Sequence, residues 1–185
     1  MIIFKKVKGE IFKRLVIIIR ANKTGAYDNL LTDKDKEIIS QRILPSIWYP
    51  FDTYKNCLNA VAHIEGKDNM ELIQMWGKKE GETVFTNVYK AFIVRAEPFV
   101  ALEKFKNFRR LMYDFGEFLI EGLSDSEANI INRGIDQDFK VYYNILLGWL
   151  ERFLELCTNK KFVSKFLAKS WEGAPETIVN VSWSN

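Results

Sequence analysis

Histidine is almost absent from this chain: His63 is the only one. A metal site or catalytic unit that needs two imidazoles is therefore excluded. Cysteine is nearly as scarce. Cys57 and Cys157 cannot make a disulfide framework or a four-cysteine zinc site. No apolar run approaches the roughly 18 residues of a spanning helix. The strongest, Leu15 to Ile19, is crowded by Lys13, Arg14 and Arg20. A secretory signal needs a longer uninterrupted core and a small-residue cleavage site, so a cytoplasmic location is expected. A charge excess of one sign is missing too. Lys and Arg number 27 against 24 Asp and Glu, a formal net of +3. That is too little to demand a polyanion, and neither nucleic acid nor a membrane is expected as a partner.

Chemical motifs are also lacking. No G-x-x-x-x-G-K-[ST] or G-x-G-x-x-G loop cradles a phosphate, and no G-x-S-x-G elbow presents a serine. Cys57 and His63 lie six residues apart, which turns about 600° on a helix and points them to different faces. Cys157 ends an apolar helical stretch and reads as a small core residue. His63 near a helix C-terminus suits the dipole. Asp114, Glu117 and Glu121 alternate as the exposed face of a strand does, not as an acid–base pair. Lys104, Lys106, Arg109 and Arg110 interleave with Phe105 and Phe108. At helical spacing the phenylalanines pack inward and the cations face solvent. No enzyme is expected.

What is present is an ordinary globular composition. The 185 residues are 48% apolar and 28% charged, enough for one domain with a core that needs no staple. Aromatics are unusually dense at 14%, with 14 Phe, 7 Tyr and 5 Trp. Such a content fills a core or lines an apolar pocket, with core filling the default. Tyr89, Tyr113, Tyr142 and Tyr143 are the polar groups able to serve a pocket.

The patterning predicts α+β. A helix runs from Lys8 to about Ala21, with a strand over 15–19 as the alternative, and Thr32 caps a charged helix through Gln41. Leu44 to Asp52 carries two prolines and reads as a packed connector into a helix capped at Asp52, which ends at Gly66. A helix capped at Asn69 or Asp68 follows. Gly77 and Gly81 on one side of it either admit another backbone or mark a break. Helix resumes to about Arg95, and Pro98 opens another to about Tyr113. Strands follow near 117–122 and 128–133, then a helix from Phe139 to Cys157, then strands Phe162–Trp171 and Thr177–Trp183. The expected architecture is an N-terminal helical part followed by a four-stranded antiparallel sheet in strand–strand–helix–strand–strand order. Residues 1–185 are expected to form one domain, mainly helical over 1–113 and sheet over 114–185.

Several sequence features together resemble a known superfamily. They are Lys8-Gly9-x-Ile11-Phe12, Leu44-Pro45 with Trp48-Tyr49-Pro50-Phe51-x-x-Tyr54, and Glu71 with Gly77. Phe115-Gly116-Glu117-Phe118, the helix around Tyr143–Leu156 and the closing hairpin to Trp183 complete the pattern. The chain is similar to the ligand-binding domains that include the heme nitric-oxide/oxygen-binding and vinyl-4-reductase-like domains. It resembles more closely an uncharacterised paralogous family abundant in myxobacteria. The resemblance implies a pocket between helices and sheet. In the heme-binding members a histidine on the helix before the sheet ligates iron, and a tyrosine–serine–arginine signature grips the propionates. Here Leu102 to Phe118 holds no histidine, and Asn132-Arg133-Gly134-Ile135 does not supply the signature. Tyr113 is a phenol in that stretch, able to ligate iron or simply to pack. Histidine-ligated heme is therefore not expected, nor any other cofactor.

The leading expectation is a non-enzymatic sensory domain that binds a small apolar or amphipathic molecule and reports it to a partner. Trp76, Phe92, Phe108, Met112 and Tyr143 are the candidate lining residues. The alternative is a protein–protein interaction module, or a homodimerising structural domain, with a filled core.

Overall fold

The computed structural model describes residues 5–184. Two compact units emerge: Met1–Met70 with Arg110–Phe115, and Glu71–Arg109 with Gly116–Asn185.

The first unit starts with a short ribbon. Strand β1 (Lys6–Lys8) pairs antiparallel with β2 (Trp48–Pro50). Val7 is buried on the inner face and also bridges to Tyr113. Helix α1 (Gly9–Ala21) buries Ile11, Phe12, Leu15, Val16 and Ile19, a stripe at helical spacing. Its first amides have no partner within the helix. The loop before β2 supplies them: Gly9 N donates to Ile47 O at 2.8 Å and Glu10 N to Pro45 O at 3.1 Å. A side chain at Gly9 would strike Leu44 O, so glycine is required where the loop closes on the helix.

Helix α2 (Asp33–Ser40) has the capping box that Thr32 promised, with Asp35 as its reciprocal partner. Helix α3 (Phe51–Ile64) buries Tyr54, Leu58, Val61 and Ala62. Its N-cap is Pro50, not Asp52. The proline ring sets φ at −58° and lets the helix start directly from β2, leaving Asp52 in the first turn near the positive dipole end.

In the second unit, α4 (Met70–Thr86) is one continuous helix through both glycines. The close-approach reading of Gly77 and Gly81 is the observed one. A Cβ on Gly77 would lie 3.0 Å from Ile145 Cα, and one on Gly148 would lie 2.7 Å from Lys78 N. Both facing surfaces have lost their side chains at the crossing of α4 and α6 (Lys140–Thr158). Polar pairs flank the crossing. Gln74 donates to Glu151 at 2.9 Å, Lys78 meets Glu155 at 2.5 Å, and Arg152 pairs with Glu82 and with Glu155.

Helix α4 stops at Thr86 and does not continue to Arg95; only a single turn of 3-10 helix, Lys90–Phe92, follows. The reason is local. Thr83, Thr86 and Asn87 turn their side chains back onto the carbonyls of Lys79, Glu82 and Thr83, which competes with helix propagation. The chain then docks on α6, where Ala96 N donates to Cys157 O at 3.0 Å. Helix α5 spans Pro98–Met112.

Strands β3 (Glu117–Ser124), β4 (Glu127–Arg133), β5 (Lys161–Ala168) and β6 (Thr177–Ser184) form an antiparallel sheet in the order β3-β4-β6-β5. With α6 between β4 and β5, this is the expected strand–strand–helix–strand–strand order. One face buries Phe118, Ala128, Ile130, Val179, Val181 and Trp183. Ser164 on that face bonds Glu151 of α6, which fixes it as the helix-facing side. The other face is mixed: Leu119, Ile131 and Ile178 share it with polar groups, and Asn180 donates there to Glu127 at 2.9 Å and to Asn129 at 3.1 Å.

The glycine contacts make a graded prediction. Gly148→Ala and Gly77→Ala force α4 and α6 apart and lower the unfolding free energy by about 2–4 kcal/mol. At Gly81 an added Cβ would lie 3.4 Å from Trp149 Cα. Gly81→Ala therefore changes stability by less than about 1 kcal/mol, helix propensity offsetting the contact. Urea unfolding of the three variants checks the order.

Candidate functional site

The second unit has an aromatic centre. Phe85 of α4 lies with ring centroids 4.8 Å from Phe108, 5.6 Å from Trp149 and 4.9 Å from Phe153. Phe108 stacks on Trp149 at 5.8 Å and also meets Tyr89 at 5.2 Å and Phe92 at 5.7 Å. Phe105 joins α5 to the sheet through Phe118 at 5.7 Å. Edge-to-face geometry dominates, as the ring quadrupoles prefer. Of the five expected lining residues, the structure brings Phe92 and Phe108 together. Tyr143 is buried against Trp171, 5.3 Å away. Trp76 is half-buried on α4. Met112 is buried and belongs to the first unit.

Beside the aromatic centre lies a buried polar group that the sequence reading missed. Arg109, expected to face solvent with its basic neighbours, is only 2% exposed. Its Nε donates to Tyr142 Oη at 3.0 Å and its Nη1 to Gly116 O at 3.2 Å. The signal was in the spacing: positions 105, 108, 109 and 112 share one helical face, so Arg109 rides with Phe105, Phe108 and Met112. Gly116 has φ of +70°, and a Cβ there would lie 2.9 Å from Arg109 Nη2 and 3.0 Å from Arg133 O. The guanidinium thus sits at the start of β3 and the end of β4. Burial raises the Tyr142 phenol above its ordinary value, even against the opposing pull of Arg109. Tyr142 is therefore neutral and accepts from Arg109. Next along β4, the Asn132 Oδ1 is buried with no hydrogen-bond partner. An orphaned acceptor of this kind is rare in a folded protein and marks a place for a donor.

Other candidates for chemistry are accounted for. His63 ends α3 with its side chain more than half exposed and its Nδ1 2.7 Å from Asp68 Oδ2. Cys57 is buried, and burial, with the Asp35 charge, pushes its thiol up to about 12. It is no nucleophile. Burial likewise raises Cys157. Asp35 itself is held below the usual carboxylate range. Its burial acts the other way, but hydrogen bonds from Thr32, Asn56 and Thr53 outweigh it. In the first unit the Tyr113 and Tyr54 hydroxyls lie 3.2 Å apart. No group of three or more metal-ligating side chains forms among the described residues.

No protein-family model matches the sequence, and no curated protein matches it significantly. Solved structures do match. A double mutant of Tt H-NOX aligns over 96% of this chain and 95% of its own, with a TM-score of 0.64 at 13% identity. The Fe(II) unliganded H-NOX protein of K. algicida, a point mutant, aligns over 96% and 97%, at 0.60 and 14%. An oxygen-binding H-NOX domain related to soluble guanylate cyclases, in its oxygen complex, aligns over 96% and 95%, at 0.57 and 13%. The fold of this chain is the H-NOX fold, the heme nitric-oxide/oxygen-binding architecture that its element order resembled.

These matches correct the expectation of no cofactor. Among them are an Fe(II) protein, an oxygen complex and a structure solved to probe heme distortion in the H-NOX family. The expectation rested on the absence of a histidine over Leu102 to Phe118 and of the tyrosine–serine–arginine signature.

The buried polar group makes two opposite predictions. Tyr142→Phe removes an acceptor from a buried cation and lowers the unfolding free energy by about 1.5–3 kcal/mol. Asn132→Val removes an orphaned acceptor at nearly constant volume and raises it by about 1 kcal/mol. Denaturant titration of both variants reads the signs directly.

Proposed function

We propose that this chain is a non-enzymatic cytoplasmic sensory domain that binds a small molecule and reports it to a partner protein, with residues 1–185 acting as one ligand-binding domain. The carrying observation is the H-NOX fold, matched over 96% of the chain to proteins described as oxygen-binding and as holding Fe(II). The bound group is a flat, apolar molecule of the heme class. In the second unit Trp76, Phe92, Phe108 and Tyr143 are assigned to its apolar wall. Arg109, one residue from Phe108 on α5, is assigned to an acidic edge, since a buried guanidinium pairs strongly with carboxylate. Met112 lies in the first unit and is not assigned to this wall.

The residues do not fit iron held by histidine. His63 is the only imidazole, and it is solvent-facing and paired with Asp68. No coordination step is assigned to it. The density of the Phe85–Phe108–Trp149 cluster favours a second reading, an interaction module whose core is filled by its own rings.

Titrating hemin into the purified full chain, with an absorption spectrum at each step, separates the two. The ligand-binding reading predicts saturation at one equivalent, unchanged by His63→Ala and weakened about tenfold by Arg109→Met, the loss of one charge-assisted contact. Loss of binding in His63→Ala would overturn the geometric argument. Absence of any stoichiometric saturation in the parent chain selects the filled-core module.

A further inference from the structure

Exposed large apolar residues are scattered over the described surface, but in the first unit three of them crowd into five positions. Leu44, Ile47 and Trp48 are 42%, 47% and 36% exposed. Pro45, Ser46 and Pro50 beside them are exposed as well. Ile47 N donates to Leu44 O at 3.2 Å, closing a turn with Pro45 at its second position. Leu44 and Ile47 therefore stand at the two ends of one tight turn. Trp48 follows on the outward face of the β1–β2 ribbon, opposite Lys8, with Pro50 opposite Lys6.

The turn is fastened from several sides. Leu44 N donates to Tyr49 Oη at 2.9 Å. Its carbonyls at Pro45 and Ile47 cap the start of α1. Lys8 Nζ donates to Ser46 O at 3.0 Å and lies 4.3 Å from the Trp48 ring centroid, which holds the indole in place. The backbone is thus fixed with apolar side chains in water, and the ordering cost of binding through them is already met.

Charge around the turn is predominantly positive. Between residues 5 and 14 stand Lys5, Lys6, Lys8, Lys13 and Arg14 against Glu10 alone, and Arg42 precedes the turn. Lys6, Lys13, Arg14 and Arg42 are exposed. The neighbouring acids are Asp52, in the first turn of α3, and Asp114, whose Oδ1 accepts from Lys6 N at 2.5 Å. A two-fold contact between copies would set these cations against each other. A surface that is anionic outside and apolar beneath matches both parts. Tryptophan and aliphatic side chains enter the interfacial layer of a bilayer while lysines reach its headgroups.

We propose that the Leu44–Trp48 turn, rimmed by Lys6, Lys8 and Arg42, is a peripheral docking surface for an anionic lipid membrane. The net charge of +3 conceals this, because the cations are local. No spanning helix is involved, and none exists among the described residues. The proposal is independent of the ligand assigned above.

Cosedimentation of the full chain with phosphatidylcholine vesicles, with and without phosphatidylserine, tests it. The chain is expected to pellet only with the serine lipid, and less at high salt. Ile47→Ser with Trp48→Ser, and separately Lys6→Glu with Arg42→Glu, should each cut binding about tenfold, with circular dichroism and the urea midpoint unchanged. Should either pair unfold the chain, Ile47→Ser alone carries the test. No phosphatidylserine-dependent pelleting overturns the proposal, as does pelleting that survives both pairs of substitutions. A dimer in sedimentation velocity that the serine variants dissolve would also overturn it, assigning the patch to a second copy of the chain.

Discussion

The second unit depends on how closely two helix backbones can approach. Gly77 of α4 faces Ile145 of α6, and Gly148 of α6 faces Gln74 and Lys78 of α4. With no side chains at the crossing, the flanking rings are drawn into contact on either side. Phe85 reaches Trp149 and Phe153 because the axes are near each other. The ion pairs of Lys78, Glu82, Arg152 and Glu155 span the same gap. Widening the crossing would loosen both, so packing and polar satisfaction are tied to one geometric condition. Helix α6 then serves as the platform for β5 and β6, and its burial along almost every face follows from that position.

The fold and the chemistry of the chain point in different directions, and the difference is informative. The architecture is that of H-NOX proteins, yet the single imidazole stands in water beside Asp68. A fold of this kind fixes the placement of helices and sheet through distributed apolar contacts. An iron ligand is one side chain, and its loss leaves those contacts intact. Arg109 and Asn132 show where polar character has instead been invested inside the second unit. A buried cation costs several kcal/mol to desolvate and is retained where its donors are used.

Much of the fold was legible from residue spacing. The stripes of α1, α3 and α6 and the alternation of β6 are strong periodic signals, and Thr32 and Pro98 mark helix starts. The end of α4 was not legible, because apolar spacing persists through Val88 and Phe92, while Thr83, Thr86 and Asn87 bond back onto carbonyls of the last turns, which favours a stop there. The β1–β2 ribbon was hidden for a different reason. Three-residue strands carry too little pattern, and their pairing joins positions far apart in the chain. Of the site, Phe92 and Phe108 could be paired by face, but Arg109 was masked by its basic neighbours. Asn132 carried no signal at all, since an unmet hydrogen bond is a property of surroundings and not of sequence.

The proposed function is ligand binding without a histidine to hold iron. The most direct measurement compares native and denaturing mass spectra of the full chain as purified from expressing cells, with an absorption scan of the same sample. The account predicts an extra mass in the native spectrum that leaves on denaturation. A bare chain mass under both conditions, from a folded sample, would contradict it.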